Sequence, residues 1–202
     1  MVAGHTCRGI YKDDHLTDIY VSIGNIPELV AIEHSASGIT FGAAVTLTNF
    51  IETLDEAAVE GKGGSEALPV LVEHAKRISG HGIRNWGTIG GNLTMTKNKG
   101  FQSDLATILT GVNAKITVVE AAGGERELPL DEFYSASYKL PPHGLLKSVH
   151  VPFLEEGEVF RSFKVAVRPQ NSHAIVNAAF RVKMDGATIS AARLVFGAFG
   201  SR

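Results

Sequence analysis

Three glycines fall within five positions in Gly87-Thr88-Ile89-Gly90-Gly91, inside the segment Ile83-Arg84-Asn85-Trp86-Gly87-Thr88-Ile89-Gly90-Gly91-Asn92-Leu93. Glycine has no Cβ to hold a ligand away, so such a segment can bring bare backbone N–H groups close to an anion. The Thr88 hydroxyl and the Asn92 amide add side-chain donors. The spacing is not the G-x-G-x-x-G of a dinucleotide fingerprint, and no Gly-Lys-Ser/Thr of a P-loop follows. The same residues also fit a tight structural connection that needs positive φ, and the residues by themselves leave both readings open.

Other candidates are scattered along the chain. Val2-Ala3-Gly4-His5-Thr6 has the form of half a phosphate cradle, or of an ordinary turn at a strand end. Asp104 stands near a predicted helix start, where a carboxylate can accept from sugar hydroxyls or simply favour the helix dipole. Lys164, in Phe163-Lys164-Val165, either faces solvent or sits where a cation would tune an electron-rich cofactor. The eight histidines, at 5, 15, 34, 74, 81, 143, 150 and 173, form no His-x-x-x-His or similar pair, so a metal site is not expected. No Ser-His-Asp order, Gly-x-Ser-x-Gly elbow or His-Glu-x-x-His is present, and no catalytic side chain is assigned. Cys7 beside Arg8 leaves a thiol nucleophile as a minor alternative.

Bulk properties narrow the class. With 44% hydrophobic and 20% charged residues over 202 positions, the chain has the composition of a globular protein of one or two domains. A formal net charge of −2 argues against nucleic acid or a membrane surface as partner. The single cysteine excludes an internal disulfide, fits a reducing compartment, and cannot build an iron–sulfur site. No apolar run of about 18 residues is present to span a membrane, and Met1 to Thr6 do not resemble a signal peptide. The expected location is the cytoplasm.

Around these residues the pattern predicts an α+β chain. Strands are expected at Tyr20–Ile23, Val30–His34 and Ile39–Val45, with turns at Ile26–Leu29 and Ser35–Gly38. A helix capped by Thr48 follows, then a break at Gly61–Ser65, then a helix over 67–78 with apolar residues at 68, 71, 72, 75 and 78. Beyond the glycine-rich loop come a helix over 103–110, strands at 115–120 and 126–130 around an Ala121–Gly124 turn, a short helical turn at 131–134, and a strand at 146–152. Glu155-Glu156-Gly157-Glu158 reads as a solvated linker. After it come a strand at 160–168, a helix around 172–182 and a strand around 188–196.

Taken in order, Val2-Ala3-Gly4-x-Thr6, Arg84-Asn85-x-Gly87-Thr88-Ile89-Gly90-Gly91-Asn92, Ser103-Asp104 and Ser148-Val149-His150-Val151-Pro152 resemble the FAD-binding domain of the molybdenum hydroxylases. This is the family of xanthine dehydrogenases and aldehyde oxidases. The likeness is closer to plant-type aldehyde oxidases in Phe101 to Thr107, in Arg168-Pro169, in Asn177-Ala178-Ala179-Phe180 and in Phe196 to Gly200. Val167-Arg168-Pro169-Gln170 stands where xanthine dehydrogenases usually carry Arg-Arg-Glu/Asp-Asp.

The resemblance implies an FAD-binding PCMH-type domain of two α/β subdomains over 1–155, followed over 159–202 by the start of an α+β domain like the CO dehydrogenase flavoprotein C-terminal domain. It implies that Val2, Ala3, Gly4, His5, Thr6, Cys7 and Arg8 line the FAD pyrophosphate. It implies that Thr88, Gly90, Gly91 and Asn92 form the facing loop and that Asp104 belongs to the pocket. It implies that Ile78 and Leu146 are apolar residues near the ring system and that Lys164 is a lysine near the flavin. His5 replaces the family's asparagine, and Cys7-Arg8 replaces small or acidic residues.

The function so implied is electron transfer through FAD to O2, in an enzyme whose two [2Fe–2S] clusters and molybdopterin reside in other domains or subunits. The full enzyme is expected to be a homodimer, and this chain a fragment whose FAD binding alone is weak or absent. Alternatives are a xanthine dehydrogenase-type domain using NAD, a separate flavoprotein subunit, and a non-catalytic remnant.

Overall fold

A computed structural model describes residues 1–12, 14–61, 64–120, 123–141 and 143–199. Parts of three sequence readings lie outside them: Lys62-Gly63 of the glycine-rich break, Ala121-Ala122 of the predicted turn, and Gly200 of the last family-like stretch.

The elements run α1 (Pro27–Val30), β1 (Ile32–His34), β2 (Gly38–Gly42), α2 (Leu47–Glu60), α3 (Leu68–Ala75), α4 (His81–Arg84), α5 (Ile89–Lys99), α6 (Asp104–Gly111), β3 (Lys115–Val119), β4 (Glu125–Pro129), α7 (Leu130–Tyr134), β5 (Leu145–Pro152), β6 (Glu158–Ala166), β7 (Ala174–Asp185) and β8 (Thr188–Gly197). They make a five-stranded antiparallel sheet, β1-β2-β5-β3-β4, and a three-stranded antiparallel sheet, β6-β7-β8. Helices lie between the sheets. α6 packs on β7 and β8, α3 on β6, and α5 on α6 and β5. Phe41, Phe50, Leu54, Leu71, Ile89, Leu105, Ile116 and Phe133 are among the residues of one continuous apolar core.

The helical stripe at 68, 71, 72, 75 and 78 is wholly buried, as its period predicts. The helix itself stops at Ala75, and Ile78 follows in a tighter turn through its N–H to the Ala75 carbonyl. Ser103 caps α6 by accepting from Ala106 N. The strands expected at 115–120, 126–130, 146–152, 160–168 and 188–196 are present within a residue or two at most ends.

Several expectations are corrected. Tyr20–Ile23 is not a strand, since only Ser22 forms an isolated parallel bridge, to Val2. The Ile26–Leu29 turn is the start of α1, and the third strand ends at Gly42 rather than Val45. A Cβ on Gly42 would lie 2.3 Å from the Leu29 carbonyl oxygen, so the α1 backbone lies directly against the chain where the strand ends. The cap of α2 is Thr46, which accepts from Asn49 N, and not Thr48. The helix expected around 172–182 is β7, the central strand of its sheet. Its Ala-rich middle favours a helix locally, but partners on both sides satisfy its backbone as a strand. In the Glu155–Glu158 linker, Glu158 opens β6, and its carboxylate pairs with Arg181 at 11% side-chain exposure on each partner. The glycine-rich loop is not all loop: Thr88 is an N-cap and Ile89 to Asn92 are the first turn of α5.

Candidate functional site

The first turn of α5 has little to offer an anion through its backbone. Ile89 N donates to the Val45 carbonyl, Gly90 N to Ala43, Asn92 N to Thr88, and Gly91 N to the Thr88 hydroxyl. Of the N–H groups from Thr88 to Asn92, those of Ile89, Gly90, Gly91 and Asn92 are therefore consumed by the fold. Neither Gly87, Gly90 nor Gly91 has positive φ. Gly90 is required by closeness instead: a Cβ there would meet Ala43 Cβ at 2.6 Å and its carbonyl oxygen at 2.7 Å. What this turn presents is the Asn92 side chain. Its Oδ1 accepts from Ser103 Oγ, which leaves Nδ2 as a donor at a cavity wall.

The opposite holds for the N-terminal loop. Among the described residues, the N–H groups of Ala3, Gly4, His5, Thr6 and Cys7 donate to no protein acceptor. Val2 anchors the loop through its N–H to Val21 O and its carbonyl to Ile23 N, both at 2.9 Å. Gly4 then meets the turn before α5, where a Cβ would stand 1.6 Å from the Trp86 carbonyl oxygen. His5 has φ 49°, a left-handed conformation in which Asn, Asp and His are enriched among non-glycine residues. Its ring lies against Tyr20, with centroids 4.9 Å apart, so it does not fill the loop. A backbone with the same φ serves an asparagine equally well. Thr6 and Arg8 are exposed, and Cys7 is partly buried.

A second cluster forms where α3, α6, β6 and β7 meet. Asp104, the first residue of α6, has a side chain only 9% exposed. Lys164 Nζ lies 2.7 Å from its Oδ2, and Asn177 Nδ2 lies 2.7 Å from its Oδ1. Lys164 also donates to the Arg77 carbonyl at 3.0 Å, so its charge is directed inward. Burial pushes the Asp104 carboxyl up, but the nearby His74 ring, the hydrogen bonds from Lys164 and Asn177 and the Lys164 charge outweigh it, leaving the group below the usual carboxylate range. His74 Nε2 stands 3.7 Å from Oδ1, beyond hydrogen-bond length yet close enough to attract.

Packing makes this approach possible. A Cβ on Gly111 would lie 2.3 Å from Ala179 Cβ, so α6 rests directly on β7. Thr107 Oγ1 donates to Asn177 Oδ1 at 3.0 Å and fixes the amide that serves Asp104.

Ile78, Ser79, Asn92, Gln102, Asp104 and His173 are among the residues lining a cavity of about 110 Å³. Arg84 holds the segment that carries Ile78 and Ser79. This residue is 8% exposed, and its Nη1 lies within 3.0 Å of the Lys76, Ile78 and Ser79 carbonyls, beyond the end of α3. Ser79 sits there at φ 50°.

The predicted residues thus fall in two places. Val2 to Arg8 gather beside Trp86 and Gly87, while Ile78, Asn92 and Asp104 line the cavity with Lys164 behind Asp104. Thr88, Gly90 and Gly91 form the helix turn between them. Leu146 lies in the core of the five-stranded sheet at 2% exposure and lines neither that cavity nor a larger one of about 450 Å³ beside Gly100 and Phe199. Sequence reasoning missed Asn177, Arg84 and His74 as members of the cluster. Arg84-Asn85 and Asn177-Ala178-Ala179-Phe180 both stood in family-like segments, whereas His74 stood in none.

The family described as FAD binding domain in molybdopterin dehydrogenase matches residues 1–154. The chain belongs to this family. The CO dehydrogenase flavoprotein C-terminal domain matches residues 161–202. This FAD-binding domain is 35% identical to an indole-3-acetaldehyde oxidase of Arabidopsis thaliana, over all of this chain and 16% of the relative. It is 37% identical to probable aldehyde oxidase 1 of Oryza sativa subsp. japonica, over all of this chain and 15% of the relative. The chain therefore spans about a sixth of the length of these plant proteins.

Its fold resembles that of a carbon monoxide dehydrogenase from Hydrogenophaga pseudoflava, with TM-score 0.75 at 24% identity over 97% of this chain and 65% of the other. Quinoline 2-oxidoreductase from Pseudomonas putida 86 gives 0.72 at 23%, over 98% and 65%. Among the described residues, no helix is long and apolar enough to cross a membrane.

Proposed function

We propose that the chain holds FAD with its diphosphate on the Ala3–Cys7 loop and its flavin and ribityl end at the Asp104 cavity. The observation that carries this is the run of N–H groups from Ala3 to Cys7 without a protein acceptor among the described residues, packed on the turn that leads into α5. Consecutive N–H groups in a loop with a left-handed residue favour an anion. Asp104 has the opposite preference. Its charge repels phosphate and accepts from hydroxyls or ring N–H groups, so the two ends of the site orient the ligand.

In this reading, Val2 anchors the loop, Gly4 sets its distance from Trp86, and Thr6 and Arg8 add a hydroxyl and a charge. Thr88, Gly90 and Gly91 act through shape, by closing the helix turn between the two ends. Asn92 Nδ2 donates, and Ile78 supplies apolar surface to a ring. Lys164 acts through Asp104, and Leu146 supports the wall from the core. FAD, when bound, supplies reversible two-electron chemistry.

The aldehyde oxidase relatives support a wider role. In the whole enzyme, electrons would arrive from molybdenum and iron–sulfur centres in other domains or subunits and leave for O2. Val167-Arg168-Pro169-Gln170 favours O2 over NAD on the family likeness. The domain division proposed is 1–155 and 159–202, meeting at the Glu155–Glu158 turn. Homodimeric assembly and a cytoplasmic location complete the proposal.

Competition separates the two ends. FAD, ADP and riboflavin are titrated against the chain and followed by fluorescence and NMR shifts. Gly4→Ala is expected to weaken FAD and ADP but not riboflavin. Asp104→Asn is expected to weaken FAD and riboflavin but not ADP. If both variants weaken all three ligands alike, or neither does, the reading is wrong.

A further inference from the structure

His74 belongs to none of the motifs that point to the site, yet its ring faces the carboxylate at the centre of it. The side chain comes from α3 and is 2% exposed. Nδ1 lies 2.9 Å from Ser162 Oγ on β6. Nε2 is buried without a hydrogen-bond partner among the described residues and stands 3.7 Å from Asp104 Oδ1. A buried polar atom left so incurs its full desolvation cost, and an aliphatic side chain would fill the space without it. Packing alone does not account for a histidine here.

In a neutral ring the proton has two possible places. On Nδ1, it would leave the Nε2 lone pair facing an anionic oxygen in a poorly screened interior. On Nε2, it faces that oxygen with the attractive sign, and Ser162 donates to Nδ1. Chemistry favours the second arrangement.

We propose that His74 is a positioning residue for Asp104. Its Nε2–H, braced by Ser162 through Nδ1, joins Lys164 and Asn177 in holding the carboxylate anionic and at the cavity wall. The significance for flavin rests on the assignment of Asp104 to the ring end of FAD. The groups around the carboxylate come from separate elements. Lys164 is on β6, uncharged Asn177 is on β7, and His173 lines the same cavity from the β6–β7 loop. Glu73 on α3 and Lys76 just after it are at the surface, where Lys76 pairs with Asp55 of α2.

Two amide variants divide the ring's two contacts. His74→Gln keeps a donor near the Nε2 position, whereas His74→Asn keeps a polar group only near Nδ1. In the full chain, the Asp104 side-chain carboxyl is titrated by carbon-13 NMR, and FAD and riboflavin binding are measured separately. His74→Gln is expected to keep the wild-type titration. His74→Asn is expected to raise proton affinity at Asp104 by about threefold or more and to weaken both flavins by a similar factor.

Equal titrations in the two variants, or a wild-type titration in His74→Asn, would overturn the proposal. If His74→Asn does not fold, Ser162→Ala decides, with a raised titration expected and an unchanged one overturning it. A raised Asp104 titration with unchanged flavin binding would leave the brace standing and remove Asp104 from the flavin site.

Discussion

Gly4 and Trp86 are pressed together so closely that a Cβ on the glycine would lie 1.6 Å from the tryptophan's carbonyl oxygen. This junction joins the N-terminal loop to the turn before α5, and it brings together two segments that are far apart in the chain. It is also lightly built. Among the described residues of 1–26, regular structure is limited to one short 3-10 turn and the bridge from Val2 to Ser22.

Gly4→Ala is therefore expected to release the loop without unfolding the body. ADP affinity should fall at least tenfold, about 1.4 kcal/mol. The urea midpoint of the main transition should hardly move. Titration and urea unfolding on the same preparation check this, and retained ADP affinity would contradict it.

The two adjacent glycines of α5 should behave differently. Gly90→Ala places a methyl against the Ala43 backbone and side chain. A loss of about 1–3 kcal/mol is expected from such overpacking. Gly91→Ala meets only the Thr88 hydroxyl, at 2.9 Å. There the weakened cap, about 1 kcal/mol, is offset by the similar helix preference of Ala over Gly. Denaturant melts of both variants provide the comparison, and equal losses would refute it.

Asp104 makes stability depend on pH with a definite sign. Its folded-state carboxyl titrates below the usual range. The stabilisation is thus complete above the unfolded value, about 3.9, and is lost as pH falls from there through the folded value. Asp104→Asn leaves the buried Lys164 ammonium without its counter-charge, which costs about 3–5 kcal/mol near neutrality. Measured by urea melts between pH 7 and pH 3, the deficit of the Asn variant relative to wild type should shrink at the acid end. A constant or growing deficit would rule out this linkage.

Arg84→Met removes the guanidinium from three carbonyls beyond the end of α3. The expected loss is about 2–4 kcal/mol, because each orphaned buried acceptor bears a desolvation cost. Riboflavin affinity should fall with it, as Ile78 and Ser79 line the cavity, while ADP affinity should not. Thermal melting and the two titrations test the pair of effects, and a selective loss of ADP would contradict the assignment.

Much of this was legible in the residues alone. The period of Leu68, Leu71, Val72, Ala75 and Ile78 marks a buried helical face, because side chains three and four apart share a side. Ser103 before an apolar run marks a helix start, because its hydroxyl can take an orphan N–H. The ordered motifs from Val2 to Pro152 place the chain in its family. These are local chemistry and order along the chain, and both are present before folding.

Other features were decided only by tertiary structure. The Asp104–Lys164 pair spans 60 positions and the His74–Ser162 pair 88, and no local spacing encodes either. Ala174 to Asp185 became a strand because a partner pairs with it on each side. Above all, the glycine-rich segment looked the richer source of backbone donors. The Ala43 and Val45 carbonyls, brought up by β2 and the turn after it, take two of them, and Thr88 takes two more. A backbone N–H is available to a ligand only where the fold leaves it no acceptor. That condition leaves the N–H groups of Ala3 to Cys7, rather than those of Gly90 and Gly91, without a protein acceptor among the described residues.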